Sequence, residues 1–159
     1  MNQNERAEYL AQTYADAILR LSYSYLKNTH DAQDICQTVF LKLIERRPVF
    51  ASSEHEKAWI IRTTINACKD HLKSHWRKTT VPIEAAQHVP APAAEPGSIL
   101  ASVNLLPPKY RAVIYLHYYE GYTAPEIAQL LGRLPSTVNT QLRRGREQLK
   151  TLLEKEGYP

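Results

Sequence analysis

The amino-acid sequence predicts an all-α protein of two small helical domains joined by a Pro-rich linker, the C-terminal domain being a helix-turn-helix. Apolar residues recur at helical spacing in both halves of the 159-residue chain, and nothing shows the alternation of a strand. Between the halves, TTVPIEAAQHVPAPAAEPGS has four prolines in twenty residues and little periodicity. We therefore expect domains at residues 5–79 and 101–156, with a flexible linker over residues 80–100.

The first half contains two predicted helices before residue 50. The first covers about residues 5–27, with an apolar face of Leu10, Tyr14, Ala17, Ile18, Leu21 and Tyr25. KNTHDAQD breaks it, and Asn28 or Thr29 can cap the second helix. That helix continues through Ile35, Val39, Phe40 and Leu43 to ERRPVF, where a proline favours a stop.

A third helix is predicted after the polar segment ASSEHE. Its expected buried stripe is Trp59, Ile61, Ile65, Cys68 and Leu72. The remaining side of this helix is polar and basic, so we expect it to face water or a partner.

The second half has the pattern of a helix-turn-helix. Pro107 and Pro108 mark a helix start, and its apolar face is Tyr110, Val113, Ile114 and His117 or Tyr118. After Gly121, TAPE at residues 123–126 is a capping box that opens a short helix containing Ile127, Leu130 and Leu131. A four-residue turn with Gly132 and a last helix from Pro135 complete the motif.

The last helix, PSTVNTQLRRGREQLK, divides into two faces. Val138, Leu142, Leu149 and Leu153 share the face that packs inward. The other arc has the chemistry to read base edges in a major groove about 12 Å wide, through Ser136, Thr137, Asn139, Thr140 and Arg143. Arg144 and Arg146 lie farther along, where we expect phosphate contact. The alternative is a solvated charged face on an ordinary surface helix.

The charge distribution points to an anionic partner. The formal net charge is +4, and Lys and Arg outnumber Asp and Glu by six to three over residues 51–79 and by eight to five over residues 105–159. Residues 80–104 contain no Lys or Arg. Two basic blocks separated by a spacer suit two contacts on one polyanion. With no nucleophile–base pair, Gly-rich phosphate loop or paired carboxylates, we expect neither an enzyme nor a cofactor.

The sequence also predicts a cytoplasmic protein without membrane insertion. Cys36 and Cys68 lie inside helical patterns and lack disulfide-scaffold spacing, which fits a reducing compartment. The N-terminal MNQNERAEYLAQ has no apolar signal core, and no run approaches the roughly 18 apolar residues of a membrane span.

Two stretches resemble a known family. The C-terminal LPPKYRAVIYLHYYEGYTAPEIAQLLG followed by STVNTQLRRGREQLK resembles the promoter-reading domain of the extracytoplasmic-function group of sigma-70 transcription initiation factors. DAQDICQTVFLKL is similar to that family's DAEDLxQExFLkL helix, which docks on core RNA polymerase, and FASSEHEKAWIIRTTINACKDHLKSHWRK is similar to its minus-10 segment. The resemblance covers about residues 10–153, linker included.

The resemblance implies roles for residues of this chain. Polymerase binding falls to Asp31, Asp34, Gln37 and Phe40, of which Phe40 could equally be core. Minus-10 DNA falls to Phe50, Ser52, Ser53, Glu54, Asn66, Lys69, Asp70, Lys73 and Arg77, while Trp59 and Arg62 are assigned mainly to structure. The minus-35 element falls to the arc from Ser136 to Arg146. Implied partners are core RNA polymerase, promoter DNA and an anti-sigma factor.

The chain departs from the family pattern at several positions. Thr38 replaces a usual Glu, Arg133 occupies a usually apolar position, and Asn139 replaces a usual Lys or Arg. Leu134 stands where a Ser cap is usual. Gly145 replaces a usual Ala, which predicts a local helix weakness of roughly 1 kcal/mol.

Two other functions remain open from the sequence. The chain could be a polymerase-independent DNA-binding regulator whose N-terminal half dimerises or senses a signal. A metal-dependent enzyme could use Cys68, His71 and His75, which share a helix face, although the same Cys68 belongs to the apolar stripe.

Overall fold

The computed structural model describes residues 2–78, 98–155 and 157, without the side chains of residues 75–78, and confirms the predicted all-α fold class. The chain divides into two compact units, Met1–Pro92 and Ala93–Pro159, and each is described by itself. Most of the predicted linker, residues 80–97, lies outside the described residues.

The first unit is built from three helices: α1 (Gln3–Leu26), α2 (Thr29–Arg46) and α3 (Ser53–Lys78). α1 begins in a capping box, in which the Asn2 side chain accepts from the Glu5 N–H at 2.8 Å. The predicted cap of α2 is confirmed at Asn28, whose Oδ1 accepts from the Asp31 N–H at 3.0 Å. α3 starts inside ASSEHE rather than after it, because Ser52 Oγ accepts from the His55 N–H at 3.1 Å.

The three helices of the first unit enclose one hydrophobic core. Its buried members include Leu10, Tyr14, Ile18, Ile35, Val39, Leu43, Ile60 and Cys68. Two details of the predicted α3 stripe are wrong: Leu72 is 43% exposed, while Ile60, which was not predicted, is fully buried. Since α1 and α2 both pack on α3, its buried arc is wider than one narrow stripe.

The second unit contains α4 (Ile99–Val103), α5 (Pro108–Tyr118), α6 (Ala124–Leu131) and α7 (Pro135–Lys155). α4 was not predicted, and it takes residues 99 and 100 from the expected linker. Ser98 Oγ caps it by accepting from the Ala101 N–H at 3.1 Å. Leu100 and Val103 are buried, and this packing stabilises a five-residue helix that would be too short to form by itself.

The predicted helix-turn-helix is confirmed in α6 and α7. Thr123 and Glu126 form the expected capping box at the start of α6. Gly132 ends α6 in the left-handed region with φ 67°. α6 ends at Leu131 and α7 begins at Pro135 as predicted, so the turn comprises three residues rather than the expected four.

Gly145 fills a packing role that the sequence did not predict. A Cβ placed there would lie 2.8 Å from Ile114 Cγ1 and 3.3 Å from Tyr110 Cβ, both on α5. Glycine therefore lets α7 approach α5 closely, and interpreting it only as a weak point in the helix was wrong.

Candidate functional site

The exposed arc of α7 is the first candidate surface. Val138 and Leu142 are buried as predicted, and Leu149 and Leu153 are partly buried. On the opposite side, the predicted base-reading and phosphate-contacting residues are solvent-exposed except for the partly buried Thr140: Ser136, Thr137, Asn139, Arg143, Arg144 and Arg146. Short polar side chains thus occupy the first turns of the second helix of the motif, and arginines follow them.

A shallow depression of about 290 Å³ lies beside this arc, between the start of α5 and the start of α7. Its lining includes Ser136, Thr137, Thr140, Arg144 and Lys109. The sequence reasoning did not single out Lys109, because it lies 35 positions before Arg144 and only the packing of α5 on α7 brings them together. Two cations and three hydroxyl groups around one recess suit an anionic group such as a phosphate.

Arg146 lies at the edge of the arc rather than within it. Successive helical residues are about 100° apart, which places Arg146 about 160° from Arg144 around the helix. Its Nη1 donates to the Tyr118 hydroxyl of α5 at 3.4 Å. Arg146 also lines an apolar groove of about 440 Å³ with Ile99, Leu149 and Leu153. The Arg146 side chain therefore contacts α5 as well as solvent.

Arg133, the departure from an apolar position, has a structural role. Its Nη1 donates to Gln141 Oε1 at 2.8 Å, which ties the turn to α7. Its backbone N–H donates to the Ala128 carbonyl at 3.0 Å, closing the end of α6. The turn is thus fixed by Gly132 on one side and by this side-chain bond on the other.

The predicted polymerase-binding residues lie on α2 but in different environments. Asp34 and Gln37 are exposed, whereas Phe40 is partly buried against the core of the first unit. Asp31 faces α3, where its Oδ2 lies 3.3 Å from His71 Nε2. Asp34 and Gln37 are therefore free to meet a partner protein, while Phe40 and Asp31 also hold the unit together.

Two exposed apolar residues extend this surface. Leu41 and Ile44 are each 53% exposed, and with Asp34 and Gln37 they follow spacings of three, four and three along α2, so the four share one face. Leu41 and Ile44 were not predicted as part of a surface, although their spacing from Asp34 and Gln37 is visible in the sequence. A mixed polar and apolar stripe on an exposed helix is typical of a protein-docking surface.

The predicted minus-10 helix residues share one face of α3. Asn66, Asp70 and Lys73 are exposed, and Lys69 is partly buried. The side chain of Arg77 lies outside the description. Arg62 is exposed too, one turn before Asn66, so its assignment mainly to structure was wrong. Trp59 is structural as predicted, because it packs against the core of the unit.

The other predicted minus-10 residues lie in the 47–54 segment, which joins α2 to α3. Phe50 packs partly into the core, with its ring 5.4 Å from the His55 ring and 5.8 Å from the Trp59 ring. Ser52, Ser53 and Glu54 are exposed. The segment thus exposes the polar side chains of Ser52, Ser53 and Glu54 beside the Phe50 ring, which anchors the segment to the core.

The third candidate, a metal centre, gains no support. Within residues 2–74, 98–155 and 157 no group of three or more His, Cys, Asp or Glu is placed to hold a metal ion. Cys68 is fully buried in the core, and this burial raises the pKa of its thiol to about 12. A thiol that resists ionisation is a poor metal ligand.

Among the described residues, no helix is both long enough and apolar enough to span a bilayer.

Comparison with known proteins matches one family to each of the two units. The family described as Sigma-70 region 2 matches residues 10–78, and that described as Sigma-70, region 4 matches residues 97–149. The ECF RNA polymerase sigma factor SigE of Mycolicibacterium smegmatis is 31% identical over 92% of this chain, which spans 61% of that relative's length. The ECF RNA polymerase sigma factor SigW of Bacillus subtilis is 28% identical over 91% of this chain and 87% of its own.

A solved structure supports the fold. The sigma factor RpoE from Bartonella quintana, crystallised with the anti-sigma factor NepR, has a TM-score of 0.73 at 20% identity, covering 92% of this chain and 96% of that one. Matches to regions 2 and 4 in the order of the two units, together with relatives aligned across both, identify the family. The chain belongs to the extracytoplasmic-function group of the sigma-70 family of RNA polymerase sigma factors, which direct promoter-specific transcription initiation.

Proposed function

We propose that this chain binds core RNA polymerase through α2 and directs it to promoters through two DNA surfaces, one on each unit. The observation that carries the proposal is the exposed arc of α7, which follows a capped helix and a glycine turn. A helix presented in this way enters a major groove with its first turns against the base edges. Its family is not enzymatic, and the chain acts by binding.

The minus-35 contacts divide by chemistry. Asn139 presents one donor and one acceptor, which suit adenine, and Arg143 presents two donors, which suit guanine, so both can make bidentate contacts in the major groove. Arg144 and Lys109, beside the recess, contact the phosphate backbone and fix the register. Because Asn139 stands where a longer cation is usual, the base that it reads differs from the family's usual one.

The minus-10 contacts come from the first unit. Asn66, Asp70 and the 47–54 segment capture an unstacked base of the promoter. Taking a base out of its stack costs a few kcal/mol, so the site needs both polar partners for the base and cations for the strand. Lys69, Lys73 and Arg77 supply the cations along α3, and Arg62 joins them because it is exposed on the same side.

The polymerase contact uses the exposed stripe of α2. Asp34 and Gln37 give it specificity, and Leu41 and Ile44 give it apolar area, since their exposed surface leaves water when a partner covers it. Thr38, which stands where the family usually has Glu, donates to the Asp34 carbonyl at 3.0 Å and so turns inward to its own helix. One polar contact with polymerase is therefore missing.

We also infer domain limits, partners and compartment. The binding domains are residues 5–79 and 99–156, the second one extended by the start of α4, and the residues between them form a linker. The chain works in the cytoplasm, where polymerase and promoters are found. An anti-sigma factor controls it by covering the exposed α2 stripe of Asp34, Gln37, Leu41 and Ile44; the sigma factor RpoE, which shares this fold, was crystallised in complex with the anti-sigma factor NepR.

The test is co-elution of the full chain with bacterial core RNA polymerase. We expect the chain to co-elute, and Asp34→Arg to abolish co-elution because it reverses the charge of an exposed residue of the stripe. Asp16→Arg is the matched control, with the same change of charge at an exposed position of α1. No co-elution of the unmodified chain would overturn the proposal and favour a polymerase-independent regulator. Equal loss in both variants would overturn the placement of the contact on α2.

A further inference from the structure

Side chains of α1 form hydrogen bonds to the 47–54 segment and to Glu56, two residues after it. None of these bonds takes part in the proposed contacts with DNA. The Arg6 Nη2 donates to the Pro48 carbonyl at 2.9 Å. The Tyr14 hydroxyl donates to Glu56 Oε1 at 2.7 Å, and the Tyr9 hydroxyl donates to the same oxygen at 3.3 Å. These bonds link residues 42 to 47 positions apart in the sequence.

The same segment is held from α3. The Ala51 N–H donates to His55 Nδ1, and the His55 N–H donates to Ser52 Oγ, each at 3.1 Å. The Phe50 ring meets the rings of His55 and Trp59 edge-on. The segment therefore lies between two anchors, α1 at Pro48 and Glu56 and α3 at Ala51 and Ser52.

Glu56 is the key residue of the α1 anchor. It lies about one turn into α3, two positions after the exposed Glu54, and its backbone N–H donates to the Ser52 carbonyl at 3.0 Å. Its carboxylate accepts from Tyr14, which is only 7% exposed and therefore has little freedom to move. A hydrogen bond from a nearly buried hydroxyl to a carboxylate is among the stronger ones in proteins. The position of the first turn of α3 is thus tied to the core of the unit.

We propose that Arg6, Tyr14 and Glu56 are positioning residues for minus-10 recognition: they touch no DNA, but they fix the place from which the 47–54 segment reads the unstacked base. The inference rests on the proposed function. A pocket that selects one base needs its polar groups held within fractions of an ångström, and a segment released from α1 samples positions that fit the correct base and the wrong one alike. Selectivity for the unstacked minus-10 base should then fall more than the affinity for promoter DNA does.

The experiment uses the full chain with core polymerase and a promoter library randomised over the minus-10 element. It measures initiation from every sequence, together with affinity for core polymerase and the unfolding temperature. We expect Tyr14→Phe to reduce the preference at the base read by the segment by about three- to tenfold, which is the net contribution of one typical intramolecular hydrogen bond. Preference at the minus-35 element and affinity for polymerase stay unchanged, because α7 and the α2 stripe are not touched.

Three further variants sharpen the test. Tyr23→Phe is the matched control, since it makes the same chemical change on α1 away from the segment, and it should change nothing. Arg6→Lys retains the positive charge but loses the guanidinium bond to Pro48, so it should reduce selectivity as Tyr14→Phe does. Tyr14→Phe combined with Glu56→Gln should cost less selectivity than the sum of the two single variants, because both changes affect the Tyr14–Glu56 hydrogen bond.

The outcomes separate the inference from the function that it assumes. A selective wild-type chain whose preference survives in Tyr14→Phe would overturn the inference alone. An equal loss of initiation at all promoters, with a lower unfolding temperature, would also overturn it, because that result describes a purely structural hydrogen bond. A wild-type chain with no minus-10 preference at all would overturn the proposed function and the inference together.

Discussion

The two candidate DNA surfaces of this chain are built in different ways. The minus-35 surface is one face of a single helix, and the spacing of residues 136–146 already places its side chains on an exposed arc. The minus-10 surface combines a face of α3 with the 47–54 segment, whose position depends on bonds from α1 to Pro48 and Glu56. The minus-35 surface can be inferred from a local sequence pattern. The minus-10 surface depends on contacts between residues more than 40 positions apart in the sequence.

Because of this difference, mutations in the two surfaces should affect DNA recognition and stability differently. On α7 the residues that we propose to contact DNA and the buried residues that hold the helix in place lie on opposite sides, so effects on recognition and on stability can be separated. In the 47–54 segment, Phe50 and Ser52 are predicted to contact DNA and also anchor the chain. Substitutions there mix recognition with stability, and only distant positioning residues such as Tyr14 allow the two to be separated.

Of the substitutions that test the two DNA surfaces, Arg143→Ala is expected to have the largest effect. Arg143→Ala should weaken binding of the holoenzyme to its preferred minus-35 sequence by about 1–3 kcal/mol and relax the preference at one base pair. Arg146→Ala should weaken binding evenly across sequences and reduce the salt dependence. Competition binding of the polymerase complex to minus-35 variants at several salt concentrations measures both quantities.

Equal losses from the two arginine variants, blind to sequence, would show that the arc contacts only phosphates. The Tyr118 hydroxyl adds an internal check, since it accepts from Arg146. Tyr118→Phe should leave the minus-35 preference intact, because it removes only that 3.4 Å contact on the edge of the arc.

A second, smaller effect tests the packing behind the arc. Gly145→Ala improves helix propensity by about 1 kcal/mol, but overpacking against the fully buried Ile114 costs about 1–3 kcal/mol. We expect a net destabilisation of the second unit by about 1 kcal/mol, measured by denaturant unfolding followed by far-ultraviolet circular dichroism.

Two controls belong to the Gly145 measurement. Gln148→Ala, at an exposed position of α7, should change the free energy of unfolding by less than about 0.5 kcal/mol. Both tryptophans, at positions 59 and 76, belong to the first unit, so the transition seen by tryptophan fluorescence should not move. A stabilised Gly145→Ala variant would restore the interpretation of this glycine as a simple helix weakness.

The smallest effect concerns the cap of α6. The Thr123 N–H donates to Glu126 Oε1 at 2.9 Å and the Thr123 hydroxyl to the same atom at 2.8 Å, and these bonds lower the pKa of the Glu126 carboxyl. Thr123→Ala should cost about 1 kcal/mol of stability at neutral pH, measured by the same unfolding method.

The pH dependence of this cap has a definite sign. Because the pKa of Glu126 is lower in the folded chain, its contribution to stability is complete above the unfolded-state value of about 4.5. The contribution is lost as pH falls through the folded-state pKa. Unfolding curves of the wild type and Glu126→Gln should therefore converge as the medium is acidified, and a constant difference down to low pH would contradict this role.

The sequence predicted the helices where the signals were local. Asn28, Thr123 and Gly132 act at helix ends as their side chains or backbone freedom indicate. It missed α4, because a five-residue helix forms only when its neighbours bury it. It also misassigned Leu72 and Arg62 on α3, because periodicity fixes which residues share a face but not how wide an arc the neighbouring helices cover.

The sequence by itself determined the fold class, the helix-turn-helix and the division of α7 into a buried face and a polar arc, since these follow from helical spacing and caps. Only the tertiary structure decided that Gly145 allows α7 to approach α5, that Leu41 and Ile44 remain exposed, and that α1 holds the 47–54 segment. The physical reason is the range of the interaction. Spacing and capping act within about one turn of a helix, whereas packing and distant hydrogen bonds exist only once the chain has brought separate helices together.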